Sequence, residues 1–193
     1  MLRKHFIRPI TNIKDQDKKV IFMNIKELGE THGGFYKEIL ESVTGKSRKR
    51  IGEVFLEYKE RFLKYGEYCA QLPKSTQLLD TLINKDETVS EEVVKCEKSA
   101  GKFKLVDLLT VPMQRILKYH MLIQRLLGQT PSHHEEYHSI QQAYDCMLDV
   151  SEYINEVKRD SEQLDLIKAI QSSITDWDIQ VSSEDVTNAQ FSL

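Results

Sequence analysis

Proline and glycine are scarce in this chain, four and eight among 193 residues, and no two cysteines stand at C-x-x-C spacing. Scarce turn residues argue against an all-β or low-complexity chain, which would use both at its many reversals. Cys69, Cys96 and Cys146 are odd in number and far apart, which argues against a disulfide framework or a zinc ribbon and fits a reducing cytosol. No run approaches the roughly 20 apolar residues of a membrane span, and the first residues lack the apolar core and cleavage site of a signal peptide. A net charge of −3 provides no overall attraction to nucleic acid or anionic lipid. What is left is one cytosolic domain.

A composition 40% hydrophobic and 30% charged suits amphipathic helices. Met1–Arg8 reads as a short helical piece stopped near Pro9. Asn24 and Glu27 have capping-box spacing and open a helix with an apolar face at Ile25, Leu28, Phe35, Ile39 and Val43, with a kink expected at Gly33-Gly34. After the basic loop Gly45–Arg50, apolar residues at Ile51, Phe55, Tyr58, Phe62, Tyr65, Cys69 and Leu72 alternate steps of four and three, the seam of a bundle helix that Pro73 should end or bend. A short helix carrying Leu78, Leu79, Leu82 and Ile83 follows, then one opened by Thr88 with Glu91 and closed near Gly101. Another runs from Lys104 to Gly128 with a bend expected at Pro112.

The longest helix is expected to start at a Ser132/Glu135 cap, with Ile140, Ala143, Met147, Val150, Ile154 and Val157 as its seam, and to reach Ile174. At about 1.5 Å per residue it would exceed the diameter of a compact small domain, so an elongated all-α helical bundle is expected. From Thr175 the periodicity fades into a polar, acidic tail. The expected division is a domain over 1–174 and a tail over 175–193.

Chemistry-bearing motifs are few. His134-Glu135-Glu136-Tyr137-His138 matches the H-E-x-x-H zinc pattern, but it sits at a helix start, where the positive end of the dipole opposes a dication, and no third ligand follows. Lys46, Arg48, Lys49 and Arg50 could meet phosphates, yet without interleaved aromatic residues the run reads as a solvated loop. There is no glycine-rich phosphate loop and no Ser-His-Asp grouping that spacing could nominate. No catalytic residue, metal site or cofactor is expected. The 105–127 helix differs in carrying Gln114, Arg115, Lys118, Tyr119 and His120 among its apolar positions.

That string, LLTVPMQRILKYHMLIQRLL, resembles the third conserved region of Dbl-homology domains, the exchange domains of Rho-family GTPases. Within the family the likeness is greatest to the Vav subfamily, and it extends to HFIRPI, IFMNIKEL, YKERFLKYGEYC and INEVKRDSEQL. The resemblance implies a helical bundle that binds a Rho- or Rac-type small GTPase, prefers its nucleotide-free form, and expels GDP and Mg²⁺ without making or breaking a bond. It implies that Lys118 and Asn155 contact switch II, that Arg159 borders the same surface, and that Gln114 and Arg115 orient neighbours as well as touching the GTPase. Thr110 falls where the family varies a residue that helps select the partner.

In the family an earlier acidic run reaches switch I, and Met1–Phe6 align with the part of the first helix after that run. Exchange by this chain is therefore expected to be weak, with a non-catalytic GTPase-binding or interaction module as the alternative reading. A monomer in the cytoplasm is expected, reaching the plasma membrane only through flanking domains.

Overall fold

The computed structural model describes residues 2–101 and 103–174. The described residues up to Ser161 fall in one compact unit and those from Glu162 to Ile174 in another. Among the described residues all regular structure is helical. A π-helical turn at Arg3–Ile7 precedes α1 (Asp15–Phe22), α2 (Ile25–Val43), α3 (Ile51–Leu63), α4 (Tyr65–Lys85), α5 (Glu87–Ser99), α6 (Leu105–Ile116), α7 (Tyr119–Gln129) and α8 (Tyr137–Ser173). The tail expected over 175–193 lies outside the described residues.

Helix α4 is the hub of the first unit, with α1, α5 and α6 against it. Its buried residues Tyr65, Tyr68, Cys69, Leu72, Ser75 and Leu79 recur at steps of three and four. The Ser75 hydroxyl donates to the Ile21 carbonyl at 2.7 Å, and the Tyr68 hydroxyl to the Leu109 carbonyl at 2.6 Å, so polar groups inside the bundle also serve to join helices. Pro73 does not end the helix as expected, since α4 runs from Tyr65 to Lys85 and absorbs the separate short helix read at Leu78–Ile83. A proline inside a helix typically costs about 3 kcal/mol, which packing on several sides of α4 can offset. The break falls at Lys64 instead, where it leaves the phase of the seam intact: Phe62 before it and Tyr65 after it are both fully buried.

Other boundaries moved for similar reasons. Helix α2 runs through Gly33-Gly34 without a break. A Cβ on Gly34 would stand 2.7 Å from the Tyr58 hydroxyl oxygen, so this glycine provides room rather than a turn. The Asn24/Glu27 box does not form either. Asn24 Nδ2 donates to the Lys64 carbonyl at 3.4 Å and Glu27 pairs with the Lys64 ammonium, trading a local cap for links between helices. At α5 the cap is Asp86, whose carboxylate accepts the Thr88 amide at 2.9 Å and the Thr88 hydroxyl at 2.7 Å, so Thr88 is held by the cap rather than acting as one. Helix α1 was not anticipated, because eight residues with only Ile21 and Phe22 buried leave no legible period.

Helix α8 starts at Tyr137, not at a Ser132 cap. Glu135 belongs to Arg50, whose guanidinium donates to the Glu135 carbonyl at 2.6 Å and to its carboxylate at 3.0 Å. Nor is the basic run merely solvated. Lys49 bridges Glu38 at 2.9 Å and Glu57 at 2.7 Å, and these hydrogen bonds, that to Glu57 foremost, push its ammonium pKa up. The α8 seam is buried at Ile140, Ala143, Met147, Val150 and Ile154 and half-buried at Val157, while Leu164, Ile167 and Ile170 further along are exposed. A Cβ on Gly52 would lie 2.3 Å from the Ser139 carbonyl oxygen, so the backbones of α3 and α8 touch where only glycine fits. Cys69, Cys96 and Cys146 are free and buried, and burial raises all three thiol pKa values.

Candidate functional site

The first amide of α6, that of Leu105, is satisfied from another helix: the Glu97 carboxylate of α5 accepts it at 2.9 Å. Leu105, Leu109 and Ile116 bury one face of α6, leaving Thr110 half-buried and Gln114 and Arg115 exposed. The Thr110 hydroxyl donates to the Asp107 carbonyl at 2.8 Å, and Gln114 Nε2 reaches the Thr110 oxygen at 3.4 Å.

The single helix expected from Lys104 to Gly128 is two helices, with the joint at Leu117 and Lys118. Pro112 lies inside α6, and the helix breaks only after Ile116. The Lys118 amide bonds back to the Arg115 carbonyl at 3.1 Å, a tightened last turn, while its carbonyl accepts the Leu122 amide at 3.1 Å and starts α7. Ile116 and Tyr119 are buried on either side. Lys118 is thereby held out from a joint whose two neighbours are anchored in the core.

Asn155 and Arg159 stand exposed one turn apart on α8, Asn155 directly after the buried Ile154. The residues singled out from sequence thus form two sets, Thr110, Gln114, Arg115 and Lys118 at the α6–α7 joint and Asn155 with Arg159 on α8. Among the described residues no hydrogen bond or ion pair links one set to the other.

Sequence reading missed the interior beside Arg115. The His32 ring is ringed by Phe35, Phe62, Tyr65 and Tyr119, with centroids 5.5–6.1 Å away. Burial first, and the nearby Arg115 cation second, lower its pKa to about 4, so the imidazole is neutral near pH 7. Its Nδ1 lies 3.4 Å from the Tyr119 hydroxyl, while Nε2 has no protein partner. The fully buried Tyr65 hydroxyl has none either, and burial pushes its pKa up, keeping the phenol neutral. Tyr65 had been read only as a seam residue, and nothing in a one-dimensional pattern marks a seam hydroxyl as unpaired.

The H-E-x-x-H match loses its geometry here. His134 lies in the turn before α8 and its Nδ1 accepts the Glu136 amide at 3.1 Å, while His138 belongs to the first turn of α8, so the imidazoles do not share a helical face.

Residues 1–155 match the family model described as the RhoGEF domain. The chain is 40% identical to Protein vav of Drosophila melanogaster over 178 residues, which is 91% of this chain and 22% of that protein. It is 41% identical to the Proto-oncogene vav of Mus musculus, over 92% of this chain and 21% of the relative. It thus spans about a fifth of the length of the curated relatives it matches. Among solved structures, the apo structure of the activated truncation of Vav1 superposes with a TM-score of 0.85 at 39% identity, covering 93% of this chain and 47% of that one. N-terminally truncated linker-DH/PH domains of p115-RhoGEF share the fold at a TM-score of 0.82 and 23% identity, covering 98% of this chain and 59% of that one. With most of its length matched by the family model and Vav relatives near 40% identity, this chain belongs to the RhoGEF (Dbl-homology) domain family.

Proposed function

We propose that this chain is the exchange domain of a Rho-family guanine nucleotide exchange factor and that it meets the GTPase through Lys118 and Asn155, with Thr110, Gln114, Arg115 and Arg159 around them. The observation that carries the reading is family membership combined with the exposed Gln114, Arg115, Lys118, Asn155 and Arg159, which lie beside buried anchors yet form no ion pair among the described residues. The domain is taken to extend through the helical residues to 174 and to work as a cytoplasmic monomer, recruited to the plasma membrane by flanking domains.

No bond need be made or broken. Binding the nucleotide-free GTPase more tightly than the loaded one lowers GDP affinity by the same factor, and GTP later displaces the exchange domain by mass action. The requirement is a rigid helical face that presents hydrogen-bond donors to switch II, and an anchored joint meets it. Pull-down of nucleotide-free Rac and release of fluorescent GDP test the reading. Both should drop when Lys118 or Asn155 becomes alanine while helicity is unchanged, and variants as competent as the parent would sink it. GTPase capture without faster GDP release would instead mark a binding module.

A further inference from the structure

Two residues, Leu117 and Lys118, stand between α6 and α7 and belong to neither helix. On the near side, α6 is seated through Ile116, which is fully buried. On the far side, the first residue of α7 is Tyr119, and its seat lies in other helices. Its ring stands edge-on to Phe55 of α3, with centroids 5.7 Å apart, and tilted against Phe35 of α2 at 5.7 Å and Phe62 of α3 at 5.9 Å. The hydroxyl reaches His32 Nδ1 on α2 at 3.4 Å. Burial raises the pKa of this phenol, and Arg115 of α6, as a nearby cation and a donor, draws it back down. One side chain therefore rests against α2 and α3 and meets the charge of α6 across the joint.

Lys118 has no such seat. It is exposed and forms no ion pair among the described residues. Its backbone is bonded on both sides, the amide to the Arg115 carbonyl and the carbonyl to the Leu122 amide, each at 3.1 Å. These bonds tie Lys118 to the two helix ends, and where the second end stands is set by the residue that follows. Adjacent Cα atoms are about 3.8 Å apart across a trans peptide, so a ring that left its seat would carry the Lys118 backbone with it. Ile123, the next buried residue of α7, lies a turn further on and cannot hold the first turn by itself.

We infer that Tyr119 is a positioning residue for nucleotide exchange: its ring, seated between α2 and α3, and its hydroxyl, held by His32, set the direction in which Lys118 leaves the joint. Its part in exchange rests on the reading of Lys118 proposed above; its seat does not, since every group in it belongs to the first compact unit. The GTPase contact thereby answers to α2 and α3, helices that carry none of the residues proposed to touch the GTPase.

Two measurements on the isotope-labelled 193-residue chain separate geometry from function. In the free chain, residual dipolar couplings report the direction of each N–H bond. In Tyr119→Leu those of Lys118 and Leu122 should depart from the parent's values while those within α4 keep them. Tyr119→Phe, which retains the ring, should shift the same couplings by less, and it gives the reading if the leucine variant does not fold. Parental couplings at Lys118 in the folded variants would overturn the inference without any GTPase present. Capture of nucleotide-free Rac then forms a double-mutant cycle. Tyr119→Phe should weaken capture about threefold and Tyr119→Leu about tenfold, and neither should weaken it further once Lys118 is alanine, because a misdirected contact and a missing one lose the same interaction. Losses that simply add would make Tyr119 a packing residue and overturn its role in exchange. A parent whose capture is indifferent to Lys118→Ala gives a different result again: it removes the exchange reading and Tyr119's role in it, while the couplings decide whether Tyr119 directs Lys118.

Discussion

Around α3 four cations are ion-paired, Lys49 with Glu38 and Glu57, Arg50 with Glu135, Lys59 with Asp149, and Lys64 with Glu27, and Arg61 lies over the Tyr58 ring. At the α6–α7 joint and on the facing-out turns of α8, Arg115, Lys118 and Arg159 form no ion pair among the described residues. The first set joins α3 and the residue after it to α2, to α8 and to the turn before α8. Single exposed pairs of this kind contribute about 1 kcal/mol or less each, so they fix which helices adjoin more than they stabilise the fold. In the second set Arg115 bears on the buried Tyr119 hydroxyl, while Lys118 and Arg159 are exposed without an ion pair; under the proposed exchange reading such charge would serve a partner.

Four measurements can break or sharpen that contrast. The largest effect belongs on the α3 side: Phe62→Ala, in the fully buried aromatic cluster with Phe35, Tyr58 and Tyr119, should lower unfolding free energy by about 3–5 kcal/mol in a urea titration. Next comes His32, which must stay neutral in the fold. Its folded pKa of about 4 lies below the ordinary 6.5, so between those values the unfolded chain binds the extra proton and stability falls as pH drops. Full burial would make that loss about 3 kcal/mol, and partial exposure reduces it to about 2–3 kcal/mol. His32→Phe should flatten this part of the stability profile relative to the parent, and an identical slope in both proteins would place the proton elsewhere.

On the joint side, Lys118→Ala should leave the urea midpoint unchanged while weakening capture of nucleotide-free GTPase by roughly tenfold to a hundredfold, the loss of one charge-assisted contact. Destabilisation with unaltered capture would reverse the assignment of the two regions. The smallest effect is a gain. Tyr65→Phe removes a buried hydroxyl that lacks a protein partner, and should raise the stability of the free chain by about 1 kcal/mol.

The α8 seam was legible because one face of a long helix is buried in a regular period, and so was the α3–α4 seam, because Phe62 and Tyr65 keep their phase across the break. The break itself was not. A hydrophobic pattern records which residues face inward and says nothing of a hydrogen bond shifted by one residue at Lys64 or Lys118. Capping motifs misled where a distant partner outcompeted the local one, as Lys64 did for Glu27 and Arg50 for Glu135. Of the candidate site, the motif on α6 and the pair on α8 were reached through the family resemblance. The seat of Tyr119 could not be, since it needs α2, α3 and α7 to meet and its partners read as ordinary helix interior.

The joint at Leu117–Lys118 also bears on how this sequence can change. In an uninterrupted helix each inserted or deleted residue rotates everything beyond it by about 100°, so length is frozen wherever a face is committed. Two helices meeting at a joint escape that coupling. Insertions after Gln129 leave Thr110, Gln114 and Arg115 aimed as before, because α6 holds its own anchors in Leu105, Leu109 and Ile116. Changes of length are therefore best placed between Gln129 and Tyr137, outside the committed faces of α6, α7 and α8.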